Sequence, residues 1–479
     1  VYFLLLVFTL NQVNAQYLNL AFDGQFGFSL FRDAERVGDK LIICGVSANS
    51  GTTDGVSYCY AINENSDTVR IYSNQLDTSR QFGGYVDCND TICASAWTEV
   101  FYVSLKLNAY LAVFDTAGIL RWQRRYDSIA YRFAVQGVSL TEFGVLAYGF
   151  AEDSTDTGVH GIMALFDDET GDLIWSSRFR NPGTSYTYLF ATVEQSDSAV
   201  SAIFYQGTSF GNSQPVYTEW NLIDGSLTYD NVISTGCEKI QIYDAESLTD
   251  TTILISGALG CDGNYVDVYV AELDRLGNIL WWDTIGNDFG NDSGYFIEVF
   301  PDYFMVGGVY VNNPTWISDF DPFVAKYSLP DRSRVFNESY TNSMIVPNEK
   351  SDWIYGGAAS LEGGVCVVGS TRDLPSGLQA QNIICVDSIG CAIPNCIASI
   401  PSIGSAPDDA LFYPNPVSGG IINTKAWPGA EAISIYNSVG VSMYNNVVDQ
   451  VGKKFEISVS SWPSGLYLGC FQLSSGGEE

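Results

Sequence analysis

The chain has 479 residues, with 22 Lys and Arg against 55 Asp and Glu, a formal net charge of -33 and a single histidine. That balance excludes a nucleic-acid face, which needs clustered cations to neutralise phosphates, and it disfavours anionic membrane surfaces for the same reason. Hydrophobic residues at 46% and aromatics at 14%, with charged residues at only 16%, can fill an extended core and leave a surface of Ser, Thr, Asn and Gly.

Residues 1–15 hold an apolar run from Tyr2 to Leu10 and then Val13-Asn14-Ala15 before Gln16, which reads as the core and cleavage site of a signal peptide. The run is too short to span a bilayer as a mature helix, and no later segment of the sequence is long and apolar enough to do so.

From residue 16 to residue 392 a repeat of about fifty residues dominates, the period of a propeller or solenoid array. Each copy carries an apolar strand, an Asp or Asn, a Gly-containing turn and a strand ending in an aromatic. The clear copies are Phe114-Asp115-Thr116-Ala117-Gly118 leading to Trp122, Phe166-Asp167 to Gly171 leading to Trp175, and Leu273-Asp274 to Gly277 leading to Trp281. Weaker ones sit at Asn63, Asn221 to Gly225, Ser328 and Asp387. Before each lies an apolar run ending in a small residue, such as Leu41 to Gly45 or Ile253 to Gly257, and before that another short segment. A unit therefore holds four strands, A to D.

Four short antiparallel strands cannot bury both faces alone, so the units must stack, and seven of them close a ring without long exposed edges. The expectation is an all-β, seven-bladed β-propeller. In the seventh unit the strand after Asp387 is broken by Cys391, Pro394 and Cys396, so Leu18 to Phe22 is expected to supply that blade's missing D strand.

Export makes the eleven cysteines readable as a disulfide set. Cys44 with Cys59 and Cys366 with Cys385 share one B-to-C register in blades one and seven. Cys88 with Cys93 flanks an A-to-B turn, Cys237 with Cys261 joins A to B, and Cys391 with Cys396 closes a small loop, which leaves Cys470 over.

Short A-to-B and C-to-D turns against long B-to-C and D-to-A connections point to one working face of the disc. Trp97, Tyr102, Tyr186, Phe210, Trp316 and Trp353 lie on or near the long connections and are candidate ligand-stacking residues; burial against a neighbouring blade is the competing role. Oxygen-rich loops offer a calcium site from Asp288, Asn291 and Asp292, or from Asp319 and Asp321, where ordinary Asx turns are the alternative. His160, in a loop beside Gly161, is the one imidazole through which any triad would have to pass, so a binding or interaction module for a carbohydrate or protein ligand is expected. The alternative is a carbohydrate-active enzyme, a glycosidase or lyase, which needs only two carboxylates converging in the funnel.

Residues 393–409 read as a linker rich in Pro, Ser, Ile and Ala. Beyond it, in residues 410–479, Tyr413-Pro414-Asn415-Pro416-Val417, then Ile433 to Asn437 with Gly440, then Trp462-Pro463-Ser464-Gly465-Leu466-Tyr467 resemble the C-terminal sorting domain of the type IX secretion system of Bacteroidetes. The resemblance implies a small immunoglobulin-like β-sandwich, export by the type IX machinery, and release or anchoring at the outer cell surface. Members end on a further basic strand, whereas no Lys or Arg follows Lys454, as in a truncated copy. The stretch Ala164 to Trp175 resembles the tryptophan-docking repeat of quinoproteins; without the adjacent cysteine pair of those enzymes, the repeated Trp is expected to pack between blades.

Overall fold

In the computed structural model every described element is a strand. The structure describes residues 6–10, most of 28–390 outside some connecting loops, and strand segments between 412 and 473. It divides into two compact units, Gln16–Ser402 and Val1–Ala15 with Ile403–Glu479.

In the larger unit seven antiparallel sheets follow one another along the chain. The first pairs Phe28–Val37, Lys40–Ala48, Gly55–Asn63 and Thr68–Leu76 in sequential order. The next five repeat this order, with sheets four and five also joined by one parallel bridge, Ser213 opposite Lys239. The seventh holds three strands among the described residues, Lys350–Ala359, Val365–Asp373 and Gln379–Val386. The opening strand of each sheet packs on the first three strands of the sheet before it, and Phe28–Val37 packs on all three strands of the last. The array thus closes on itself as a β-propeller, with the opening strands around its axis. Leu18 to Phe22, expected to complete the last sheet, lie outside the described residues.

Stacking on both sides explains the apolar runs. The second and third strands are covered by a neighbour on each face, so Thr252–Gly260 is buried at every residue but its first. The outer strands have one wet face, and Leu120–Tyr126 buries only Trp122 and Tyr126.

The repeated turn is one half of an inter-sheet contact. Asp115 Oδ1 accepts the Ala117 and Ile119 N–H groups at 3.0 and 2.7 Å, which fixes an Asx turn that Gly118 completes at φ +87°. Trp122 then reaches the corresponding turn of the next sheet: its Nε1 donates to the Asp168 carbonyl at 2.7 Å, and its ring lies where a Cβ on Gly171 would come within 2.8 Å. Trp175 repeats the contact, donating to the Leu222 carbonyl at 2.8 Å over Gly225. The packing role expected for the repeated Trp is therefore met at both positions.

Cys44 lies opposite Cys59 and Cys366 opposite Cys385 in their sheets, and both pairs are bonded. Cys88–Cys93 and Cys237–Cys261 are bonded as well. Cys391 and Cys396 lie outside the described residues.

The smaller unit holds two antiparallel sheets. One orders Leu6–Leu10, Gly465–Leu473, Ala430–Asn437 and Ser442–Val447; the other orders Phe412–Tyr413, Ile421–Lys425 and Lys454–Ser458. The apolar segment read as a signal peptide thus contributes an edge strand, running from Leu6 opposite Gly469 to Leu10 opposite Gly465. Tyr413, Gly465 and Tyr467 of the sorting motifs are strand residues, and Cys470 faces Ser434 across the sheet. Pro414, Asn415, Pro416 and Gly440 lie outside the described residues.

Candidate functional site: the mouth of the axial channel

All seven opening strands carry a one-residue bulge against the second strand, at Arg32, Gly84, Gln136, Phe190, Tyr243, Tyr295 and Tyr355. A bulge leaves one residue unpaired and re-aims its side chain. Because these strands surround the axis, the seven bulges form a ring within it. Among residues spaced about fifty apart in a repeat array, that ring is chemically lopsided: aromatic in sheets four to seven, small or polar in sheets one to three.

The side chains run around the ring almost without a break. Phe190 meets Tyr243 edge-on at 5.9 Å, Tyr243 meets Tyr295 at 4.7 Å, and Tyr295 meets Tyr355 at 6.2 Å. The Arg32 guanidinium sits between two rings, 4.8 Å from the centre of Tyr355 and 5.4 Å from that of Tyr85. Its Nε and Nη2 both donate to the Tyr85 hydroxyl, at 3.2 and 3.0 Å, and that hydroxyl donates to Gln136 Oε1 at 3.2 Å.

Further aromatics climb from the ring toward the edge where the long connections emerge. Trp353 lies 6.2 Å from Tyr355 and 4.1 Å from Phe320, while Tyr188 lies 6.2 Å from Phe190 and 4.8 Å from Phe150. On the small side of the ring, Gly83 and Gln136 line a cavity of about 300 Å³ together with Leu30, Arg32, Phe82, Tyr85 and Phe150 among others.

Deeper in the channel the opening strands carry carboxylates. Asp33 accepts the Ala34 N–H at 2.9 Å and the Val86 N–H of the next sheet at 3.1 Å. Asp244 does the same with Ala245 and Ile297, both at 2.8 Å, and Asp87 accepts Leu140 N–H at 2.6 Å. These carboxylates tie adjacent opening strands together around the axis. Burial pushes Asp33 up to about 7 against its two N–H donors, Asp87 to about 6, Glu246 to about 8 and Glu298 to about 7; Glu35 and Asp244 are driven well above the usual carboxylate range by the same cause.

The residues singled out in the sequence fall in several places. Trp353 belongs to the channel mouth. Tyr186 packs on Tyr188 and Tyr205 and is 7% exposed, so it supports the mouth from behind. Trp97 is 1% exposed, held against Tyr72 and Tyr110 between sheets one and two, so its role is in the core. Tyr102, Phe210 and Trp316 lie outside the described residues, as do Asp288 and Asp319. Asp292 is fully buried and its Oδ1 accepts the Val311 N–H at 2.8 Å; Asn291 bridges to Val266, and Asp321 pairs with Tyr310 inside a strand. Among the described residues no group of three or more His, Cys, Asp and Glu is placed to hold a metal ion. His160 is a strand residue opposite Ala151, in place of the expected loop, because its flanks continue the apolar run of Val159–Phe166.

Sequence reading passed over the bulge residues. The signal that could have found them is the recurrence, within each A segment, of Arg32, Gln136, Phe190, Tyr243, Tyr295 and Tyr355 at about the repeat spacing.

Residues 411–477 match the family described as secretion system C-terminal sorting domain. No curated protein matches the chain. Among solved structures, it is similar to the β-propeller domain of the Trilobed protease from Pyrococcus furiosus, at 10% identity and a TM-score of 0.43 over 77% of this chain and 99% of that one. It is also similar to a europium-containing methanol dehydrogenase, at 9% identity and a TM-score of 0.41 over 80% and 87% of the two chains. A protein of unknown function from Dyadobacter fermentans gives 10% identity and a TM-score of 0.44 over 61% and 93%. Among the described residues no helix is long and apolar enough to cross a membrane. The chain therefore carries a type IX secretion sorting domain behind an all-β, propeller-type array, and its place is outside the cell, secreted or on the outer surface.

Proposed function

We propose that this is an exported binding module that takes a saccharide at the mouth of its axial channel. The observation that carries this reading is the run of ring contacts from Phe190 through Tyr243 and Tyr295 to Tyr355 and Trp353, which Arg32 over Tyr355 links to an open cavity with few polar groups. Flat aromatic faces with a small number of placed polar groups suit the apolar face and hydroxyl rim of a pyranose. The carboxylates of the channel serve the scaffold, since Asp33 and Asp244 each have both oxygens engaged by backbone N–H groups. Glycan-array binding of the full chain tests the reading. Retention of one glycan class, lost in Tyr355→Ala, supports it; an array without signal from folded protein contradicts it.

A second reading, a carbohydrate-active enzyme, is favoured by one observation. Burial pushes Glu298 in the same channel up to about 7, the range a general acid needs. Turnover of an array-positive glycan, abolished in Glu298→Gln with binding retained, would establish that reading in place of the first.

A further inference from the structure

We propose that the saccharide is anionic, a uronate whose carboxylate pairs with Arg32; the inference rests on the saccharide-binding reading above. Three features of the ring carry it.

Arg32 directs its Nε and Nη2 to one acceptor, the Tyr85 hydroxyl, and among the described residues its Nη1 has no hydrogen-bond partner. The adjacent carboxylate does not neutralise it, because the Asp33 oxygens face the N–H groups of Ala34 and Val86. A half-buried guanidinium, always charged, thus lines the cavity with donors to spare, between the rings of Tyr85 and Tyr355.

The second feature is shape. The cavity of about 300 Å³ opens on the side of sheets one to three, where Gly83, Gln136 and Phe150 line it, while Gly84 packs against the Gly45 backbone of sheet one. The opening lies next to Arg32 and across the axis from the aromatic sector. A sugar that enters the cavity brings its ring substituents to the guanidinium, which itself covers one face of Tyr355.

The third is charge. A guanidinium covered by a neutral sugar would lose water without gaining an acceptor of matching charge, whereas a carboxylate supplies two oxygens to its fork. The one guanidinium is matched by a group carrying one negative charge better than by a phosphate ester carrying two. The Gln136 amide nitrogen, which Tyr85 does not engage, lies beside it to donate to a hydroxyl.

The test is calorimetry on the full chain with trimers of galacturonate, glucuronate and mannuronate, each as the free acid and as its methyl ester. The ester keeps the ring and removes the charge, so the comparison needs no variant. One acid should bind at least about tenfold tighter than its ester. Arg32→Gln should erase that difference, and Arg32→Lys should keep part of it. Equal affinity for acid and ester, or an acid preference that survives in Arg32→Gln, overturns the proposal. If neutral trimers bind in a Tyr355-dependent way, the binding module stands and the anionic ligand falls. If folded protein binds no saccharide, or binds only a free-carboxylate peptide, both fall.

Discussion

Asp33 shows how a residue here is governed by its place in the ring. Its carboxyl holds its proton to about 7 because burial outweighs two backbone N–H donors, and Asp87, Glu246 and Glu298 follow it to about 6, 8 and 7. In the unfolded chain these groups titrate near 4. The folded state therefore binds more protons between about pH 4 and 8, and stability conferred by those protons is lost as pH rises through that window. Thermal unfolding should show a lower Tm at pH 8.5 than at pH 5; a flat or rising profile would show that the channel carboxylates ionise freely. The cysteines were legible in the sequence because disulfide register depends only on counting along two strands, as Cys44 with Cys59 demonstrates. Arg32 was not. A bulge shifts the two-residue alternation by one, so nothing in the local pattern marks that residue as facing the axis.

At the scale of the element, the sequence repeat and the inter-sheet contact are the same object. The Asp-to-Gly turn of one sheet receives the aromatic of the sheet before it, so the fifty-residue period could be read without any knowledge of packing. Trp122→Ala should remove both the ring contact with Gly171 and the bond to the Asp168 carbonyl, costing roughly 3–5 kcal/mol in denaturant unfolding. Gly171→Ala should destabilise by at least about 1 kcal/mol, since φ is +72° and the added Cβ meets the Trp122 ring. A neutral result for both would mean that the turns do not hold adjacent sheets together. The strand identity of His160 was missed because its neighbours Val159 and Gly161 gave too short a pattern to separate loop from strand end.

The whole molecule joins an address to a scaffold. Its sorting domain could be read from three ordered motifs, while the proposed ligand site could not, because it is assembled from residues of seven sheets that only ring closure brings together. Removal of residues 411–477 should leave the protein inside the cell, measured by fractionation; export at the full level would contradict the role of that segment. We also propose that the Leu18 to Phe22 segment completes the three-stranded seventh sheet, so deletion of residues 16–22 should lower the Tm of the larger unit, and an unchanged Tm would remove the idea.

The central claim is that the aromatic sector of the channel mouth binds the ligand. Calorimetry of an array-positive glycan against the full chain, Tyr355→Ala, Trp353→Ala and Trp282→Ala tests it most directly, since Trp282 lies on an outer strand and is 51% exposed. Loss of about 1–3 kcal/mol of binding free energy at Tyr355 and Trp353, with none at Trp282, is the predicted result. Full affinity in the two mouth variants, or a loss confined to Trp282, would contradict it.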